Sequence, residues 1–128
     1  MIARSSLAIS AALLYAVSCV SIGGTQERRL VTLDGIPKEQ ALRIAQEYVT
    51  ASRLASLRSA AKAKYSQLTD ADLASINLQW QRMSLADGEH VAIEVTFMAG
   101  SAAMSPKDVA DYLAEQVRRD VRAQLDRR

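Results

Sequence analysis

One cysteine, one tryptophan, two prolines and one histidine are all that this 128-residue chain holds of these types, and each scarcity removes a class of explanation. A lone cysteine cannot build the disulfide framework that holds many small exported domains together. One histidine without a further thiol is too small a donor set for a zinc site, which takes three or four nitrogen or sulfur ligands. It also leaves His90 as the sole imidazole able to activate a nucleophile. With Glu89 beside it and a turn just before, His90 reads as an exposed turn-flanking residue. Aromatic residues make up 5% of the chain, too few for a base-stacking platform or an aromatic sugar-binding surface. No glycine-rich loop leads from a strand into a helix, so no cradle for nucleotide phosphates is expected. Lys and Arg number 16 against 14 Asp and Glu, which gives no bulk field to draw nucleic acid. The expectation is no catalytic residue, no metal and no cofactor.

Long apolar runs are scarce too, except at the front. Met1-Ile2-Ala3-Arg4 carries one positive charge, and Leu7 to Val17 is apolar but for Ser10. Small residues follow around Cys19 and at Gly23-Gly24. A basic start, an apolar stretch of about 7–15 residues and a small-residue processing site form the secretory signal pattern. A bilayer-spanning helix wants about 20 apolar residues. Leu7 to Ile22 offers 16, interrupted by Ser10, Ser18 and Ser21.

The tetrapeptide Ala16-Val17-Ser18-Cys19 resembles the lipobox of bacterial lipoproteins, over residues 1–19 alone. The resemblance implies that Cys19 is the lipid-attachment residue and becomes the mature N-terminus. Ala16 stands where that family prefers leucine, and Tyr15 also departs from it. An uncleaved anchor and ordinary cleaved secretion are the other readings of the same stretch. All three place residues 25–128 outside the cytoplasm. The expected organisation is a signal peptide or membrane anchor over 1–18, a flexible tether over 19–29 and a single α+β domain over 30–128. The expected location is the bacterial cell envelope, on the periplasmic side of a membrane, held by a lipid.

Beyond the front segment, Leu30 to Leu33 suits a short strand ended by the turn pair Asp34-Gly35. Pro37 fits the first turn of a helix, where its missing N–H costs nothing. From there to about residue 66 the chain is rich in helix formers and free of internal glycine and proline. At 100° per residue, Ala41, Leu42, Ala45, Tyr48, Val49 and Ser52 gather on one side. Leu54, Leu57, Ala61, Tyr65 and Leu68 gather on nearly the opposite side. Either the helix breaks near Thr50–Ser52, or it touches two partners, one of which could be a second copy. Thr69 with Asp72 three residues on suggests an acidic capping box opening a single helical turn. By that logic Asp70 and Asp72, like Asp108 and Asp111 later, are helix-start acids rather than a catalytic pair.

The clearest strand signal comes next. Ile76, Leu78 and Trp80 alternate with polar residues, and Val91, Ile93, Val95 and Phe97 do the same. Asp87-Gly88 between them suits a type I′ turn, so an antiparallel hairpin with one buried face is expected. Trp80 reads as core. Beyond it the apolar phase slips to Met83 and Leu85, which suggests a bulge near Arg82. Ser105-Pro106-Lys107-Asp108 is a strong helix start. Val109, Leu113, Val117, Val121 and Leu125, with Tyr112, then make an apolar stripe to pack on the hairpin. The order is β-α-(short α)-β-β-α, a two-layer α+β sandwich. This order looks like that of ring-building and POTRA-type envelope modules and of KH-type modules; no motif of either family can be quoted, and no site is carried over.

The nearest thing to a functional surface is SRLASLRSAAKAKYSQL. Between Val49 and Thr69 stand Arg53, Arg58, Lys62 and Lys64 with no acid. Their long stems can flank a stripe of Leu54, Leu57, Ala61 and Tyr65 while the charges stay in water. These eight residues are the candidate interaction surface, for an anionic membrane or for protein. The function expected is that of a non-enzymatic envelope protein, a membrane-tethered module for protein–protein interaction or self-assembly. Its partners would be the membrane, through the lipid or anchor, and an envelope protein or a further copy. The alternatives are a module binding a small apolar ligand or lipid, and an inhibitor of a cell-wall enzyme.

Overall fold

The computed structural model describes residues 25–100 and 105–127. Cys19 and the expected export segment lie outside the described residues. Seven elements follow in order: β1 (Thr25–Thr32), α1 (Lys38–Tyr48), α2 (Ala51–Lys64), α3 (Asp70–Ala74), β2 (Asn77–Leu85), β3 (Gly88–Ala99) and α4 (Pro106–Asp126). The strands form one antiparallel sheet in the order β1-β3-β2, so the longest and most apolar strand is central. The helices pack on one face of this sheet, giving the α+β fold and element order read from the sequence.

Period-2 alternation sets the buried face. Val91, Ile93, Val95 and Phe97 of β3 point into the helical layer and are at most 3% exposed. Cross-strand pairing brings Val31 and Trp80 alongside Ile93, and Leu78 alongside Val95. Trp80 and Leu78 are half-buried against the core, as expected for Trp80. From the other side come Val109, Leu113, Val117 and Val121 of α4, every one buried, with Leu125 and Tyr112 at the margin. Each such side chain contributes about 1.5–3 kcal/mol of gross transfer free energy.

The long helical run breaks, which resolves its two opposed apolar faces. Val49 leaves helical geometry, and Thr50 becomes the N-cap of α2, its Oγ1 accepting from the Arg53 backbone N–H at 3.1 Å. After this corner Ala41, Ile44, Ala45 and Tyr48 of α1 enter the same core as Leu57 and Ala61 of α2. The second face thus needs no outside partner. The capping box at α3 is also present: the Thr69 side chain accepts from the Asp72 N–H, and Asp72 accepts from the Thr69 N–H.

Three expectations are corrected. No bulge occurs near Arg82, because β2 pairs with β3 in one unbroken register from Asn77↔Thr96 to Leu85↔Gly88. Met83 and Leu85 change face instead. The outer half of β2 runs past the helices, which leaves Arg82 and Ser84 exposed on the helical side. The hairpin turn is Ala86-Asp87 rather than Asp87-Gly88, and Gly88 opens β3 with φ +127°. The strand expected at Leu30 begins at Thr25, so residues 25–29 belong to the sheet and not to a tether. Their charges are matched by residues distant in sequence, which local alternation cannot reveal: Arg28 meets Glu94 and Arg29 meets Asp111. Among the described residues no helix is long and apolar enough to cross a membrane.

Candidate functional site

The eight residues expected to form an interaction surface on α2 are taken up within the fold. Leu57 and Ala61 are fully buried, and Leu54 and Tyr65 pack partly buried against the core. Arg53 lies 4.8 Å above the Tyr48 ring and 3.6 Å from Asp120 of α4. Arg58 donates through Nη2 to the carbonyls of Ala74 (3.2 Å) and Ile76 (2.8 Å), closing the end of α3. Lys62 donates to the carbonyls of Ser66 (2.8 Å) and Leu68 (2.7 Å). Lys64 is exposed above Tyr112, whose ring meets Tyr65 edge-on at 5.7 Å. Arg58 and Lys62 are clamps on the segment from Ser66 to Ile76, while Arg53 ties α2 to α4. No free cationic patch remains there beyond Lys64.

His90 is likewise held. Nδ1 lies 2.8 Å from Asp34 Oδ1 and Nε2 lies 2.8 Å from Asp87 Oδ1. A neutral imidazole donates from one nitrogen only, so the pair of carboxylates is satisfied fully by the imidazolium. Hydrogen bonds donated to Asp87 first and Asp34 second accordingly raise the His90 pKa above its usual value. The ring ties the β1–α1 loop to the hairpin turn, and neither nitrogen is free to take a substrate proton. Tyr48 donates to Asp120 Oδ2 at 2.8 Å; burial first, and then that carboxylate, push its pKa far up, so the hydroxyl stays protonated. Asp72 goes the other way: backbone N–H groups of Thr69 and Gly100 hold its carboxyl below the usual range.

The open features lie on the sheet and along α4. The face away from the helices carries Gln26, Arg28, Leu30 and Thr32 of β1, then Ala92, Glu94, Thr96 and Met98 of β3, then Asn77, Gln79, Gln81 and Met83 of β2. At its centre Glu94 is 2% exposed although no described element covers this face. The Arg28 guanidinium pairs with it and the Gln79 amide donates to it, so the carboxylate is shielded by its own partners. Met98, 43% exposed, sits on the same face.

The outer edge of β1 is the second open feature. Among the described residues β1 pairs only with β3, so one side of its eight residues carries backbone groups with no described strand beside them. Its charged side chains do not guard this edge. Arg28 turns over the open face to Glu94. Arg29 turns over the helical face, donating to Asp111 Oδ1 at 2.8 Å and to Glu27 Oε1 at 2.9 Å. Beside the edge a groove of about 260 Å³ runs between β1 and the second half of α4. Leu33, Ile36, Val121 and Leu125 give it apolar walls, and Arg118 and Arg122 stand at its rim. Sequence reading misses this site because Glu27, Arg28 and Arg29 look like a solvated leader until their distant partners are in place. The one available signal was the even spacing of Gln26, Arg28 and Leu30 ahead of an already recognised strand. No family model, no curated protein and no solved structure matches this chain.

Proposed function

We propose that this chain is a non-enzymatic module of the bacterial cell envelope, tethered to a membrane at Cys19, that works by binding protein. The single observation carrying the reading is the unguarded outer edge of β1 beside an apolar groove. An open strand edge offers a ready template for another chain to pair with, and folded proteins usually block it with charges, proline or a bulge. Here the charges turn away, β1 contains no proline, and its ladder to β3 is unbroken. The occupied ring of His90 and the clamped cations of α2 support a binding role over a catalytic one.

Crosslinking in intact cells tests the reading. The expected result is protein adducts whose linked residues fall on β1 or α4. Absence of any protein adduct, or adducts confined to α2, would count against it. For the tether, the Cys19→Ala variant should leave the membrane fraction and lose acyl labelling; unchanged fractionation would end the lipid assignment.

The groove also favours a second reading, in which an apolar ligand lies between Leu33 and Leu125. Its volume of about 260 Å³ falls just under the roughly 300–1,000 Å³ of small-molecule pockets. Size therefore favours protein. Native mass spectrometry finding a co-purifying lipid, lost on Leu125→Arg, would reverse that preference.

A further inference from the structure

We infer that the partner docking on the β1 edge is a second copy of this chain, joined by a two-fold axis that makes one continuous sheet. The inference rests on the reading above that protein binding is the chain's work, and it names the partner.

Charge on α4 points to a copy rather than to an unrelated chain. Asp111, Glu115, Arg118 and Arg122 follow one another at four, three and four residues, which places them on a single helical stripe. The stripe borders the β1 edge, since Asp111 receives Arg29 and Arg118 and Arg122 rim the groove. Acids occupy its first half and bases its second. Reversed about the point between Gln116 and Val117, the stripe becomes its own complement: Asp111 falls opposite Arg122 of the other copy, and Glu115 opposite Arg118. All four side chains are exposed. Arg122 has no ion pair among the described residues, and Glu115 spends itself on loose pairs with Arg118 (3.4 Å) and Arg119 (3.6 Å).

Geometry permits the same arrangement. α4 packs over both β1 and β3, so its axis lies inward of the β1 edge. Strands pair at about 4.8 Å and helices pack at about 8–10 Å. Joining the two β1 edges antiparallel thus brings the two α4 helices side by side at packing distance, running in opposite directions. The helical layers of the two copies fall on the same side of the joined sheet, and the grooves meet across the axis, covering Leu125. The other edge is worse suited. The outer half of β2 has no helix over it, and Arg82 stands there exposed with no ion pair among the described residues.

Sedimentation equilibrium of the full chain in mild detergent, at well under one chain per micelle, provides the test. The expected particle holds two chains. The double reversal Arg118→Glu with Arg122→Glu should give single chains, and so should Asp111→Arg with Glu115→Arg. An equimolar mixture of the two variants should recover a two-chain particle, which no local structural role of these residues predicts. If a reversal variant loses its helical circular dichroism, Arg118→Gln with Arg122→Gln replaces it, with an expected rise of at least tenfold in the dissociation constant. A wild-type particle of one chain, or a pair that survives every variant, overturns the inference. A different envelope protein captured in cells while the particle holds one copy overturns this inference alone; no adduct of any kind overturns the protein-binding reading as well.

Discussion

His90 shows how a side chain can look idle in sequence and be held from both sides in the fold. Its pKa is raised in the folded state by Asp87 and Asp34, above an unfolded value near 6.5. The stabilisation this provides is complete below about pH 6.5 and is lost as pH climbs through the folded value. Both carboxylates are well exposed, at 59% and 73%, so the effect stays under about 1 kcal/mol. Urea titrations between pH 6 and pH 9 should show stability declining through this window, and His90→Gln should flatten the decline; an identical slope in the variant would remove the clamp. The cations of α2 differ from one another for a related reason. Arg58 bonds two carbonyls at the end of α3, that of Ile76 part-buried, whereas Lys64 stands in solvent. Arg58→Ala should cost about 1–3 kcal/mol and Lys64→Ala under about 0.5 kcal/mol, as read from denaturation midpoints.

Within the elements, hydrogen bonding at chain corners decides more than helix propensity. The run from Lys38 to Ser66 holds no glycine or proline, yet it turns at Thr50 because the cap and the shared core outweigh one more turn of helix. Thr50→Ala should lower stability by about 1 kcal/mol, and Thr50→Asp should lose little. In the sheet, Arg28 and Glu94 join β1 to β3 on the uncovered face. Arg28→Met leaves the buried Glu94 carboxylate with the Gln79 amide alone, an expected loss of about 2 kcal/mol after allowing for the half-exposed arginine. Adding Glu94→Gln removes the stranded charge and should recover much of that loss. Thermal melts of the two single variants and the double variant measure the coupling. Additive effects would mean that the pair does not hold the strands together.

Across the molecule, apolar periodicity and pairing of distant charges are separate layers of information. The first makes the sandwich. Val91 to Phe97 and Val109 to Val121 find each other because each buries one stripe. The second decides what is left exposed. Arg58 and Lys62 clamp the connection around α3 and Arg53 meets Asp120, so the cations expected to face a partner on α2 also hold the fold, Lys64 apart. Once Arg28 and Arg29 turn inward to Glu94 and Asp111, the β1 edge is open. The proposed surface thus moves from a helix that looked sticky to a strand that looked like a leader.

The sequence by itself determined the kinds of element, their order and their buried sides. Those follow from spacing along a few neighbouring residues and from local breakers such as Asp34-Gly35 and Ser105-Pro106. Only the tertiary structure decided that Glu94 is buried, that His90 is bridged, that the hairpin keeps one register through Arg82, and that β1 starts at Thr25. Each of these depends on contacts between residues tens of positions apart. A local period records which side of an element avoids water, but it carries no record of which distant charge will come to meet it.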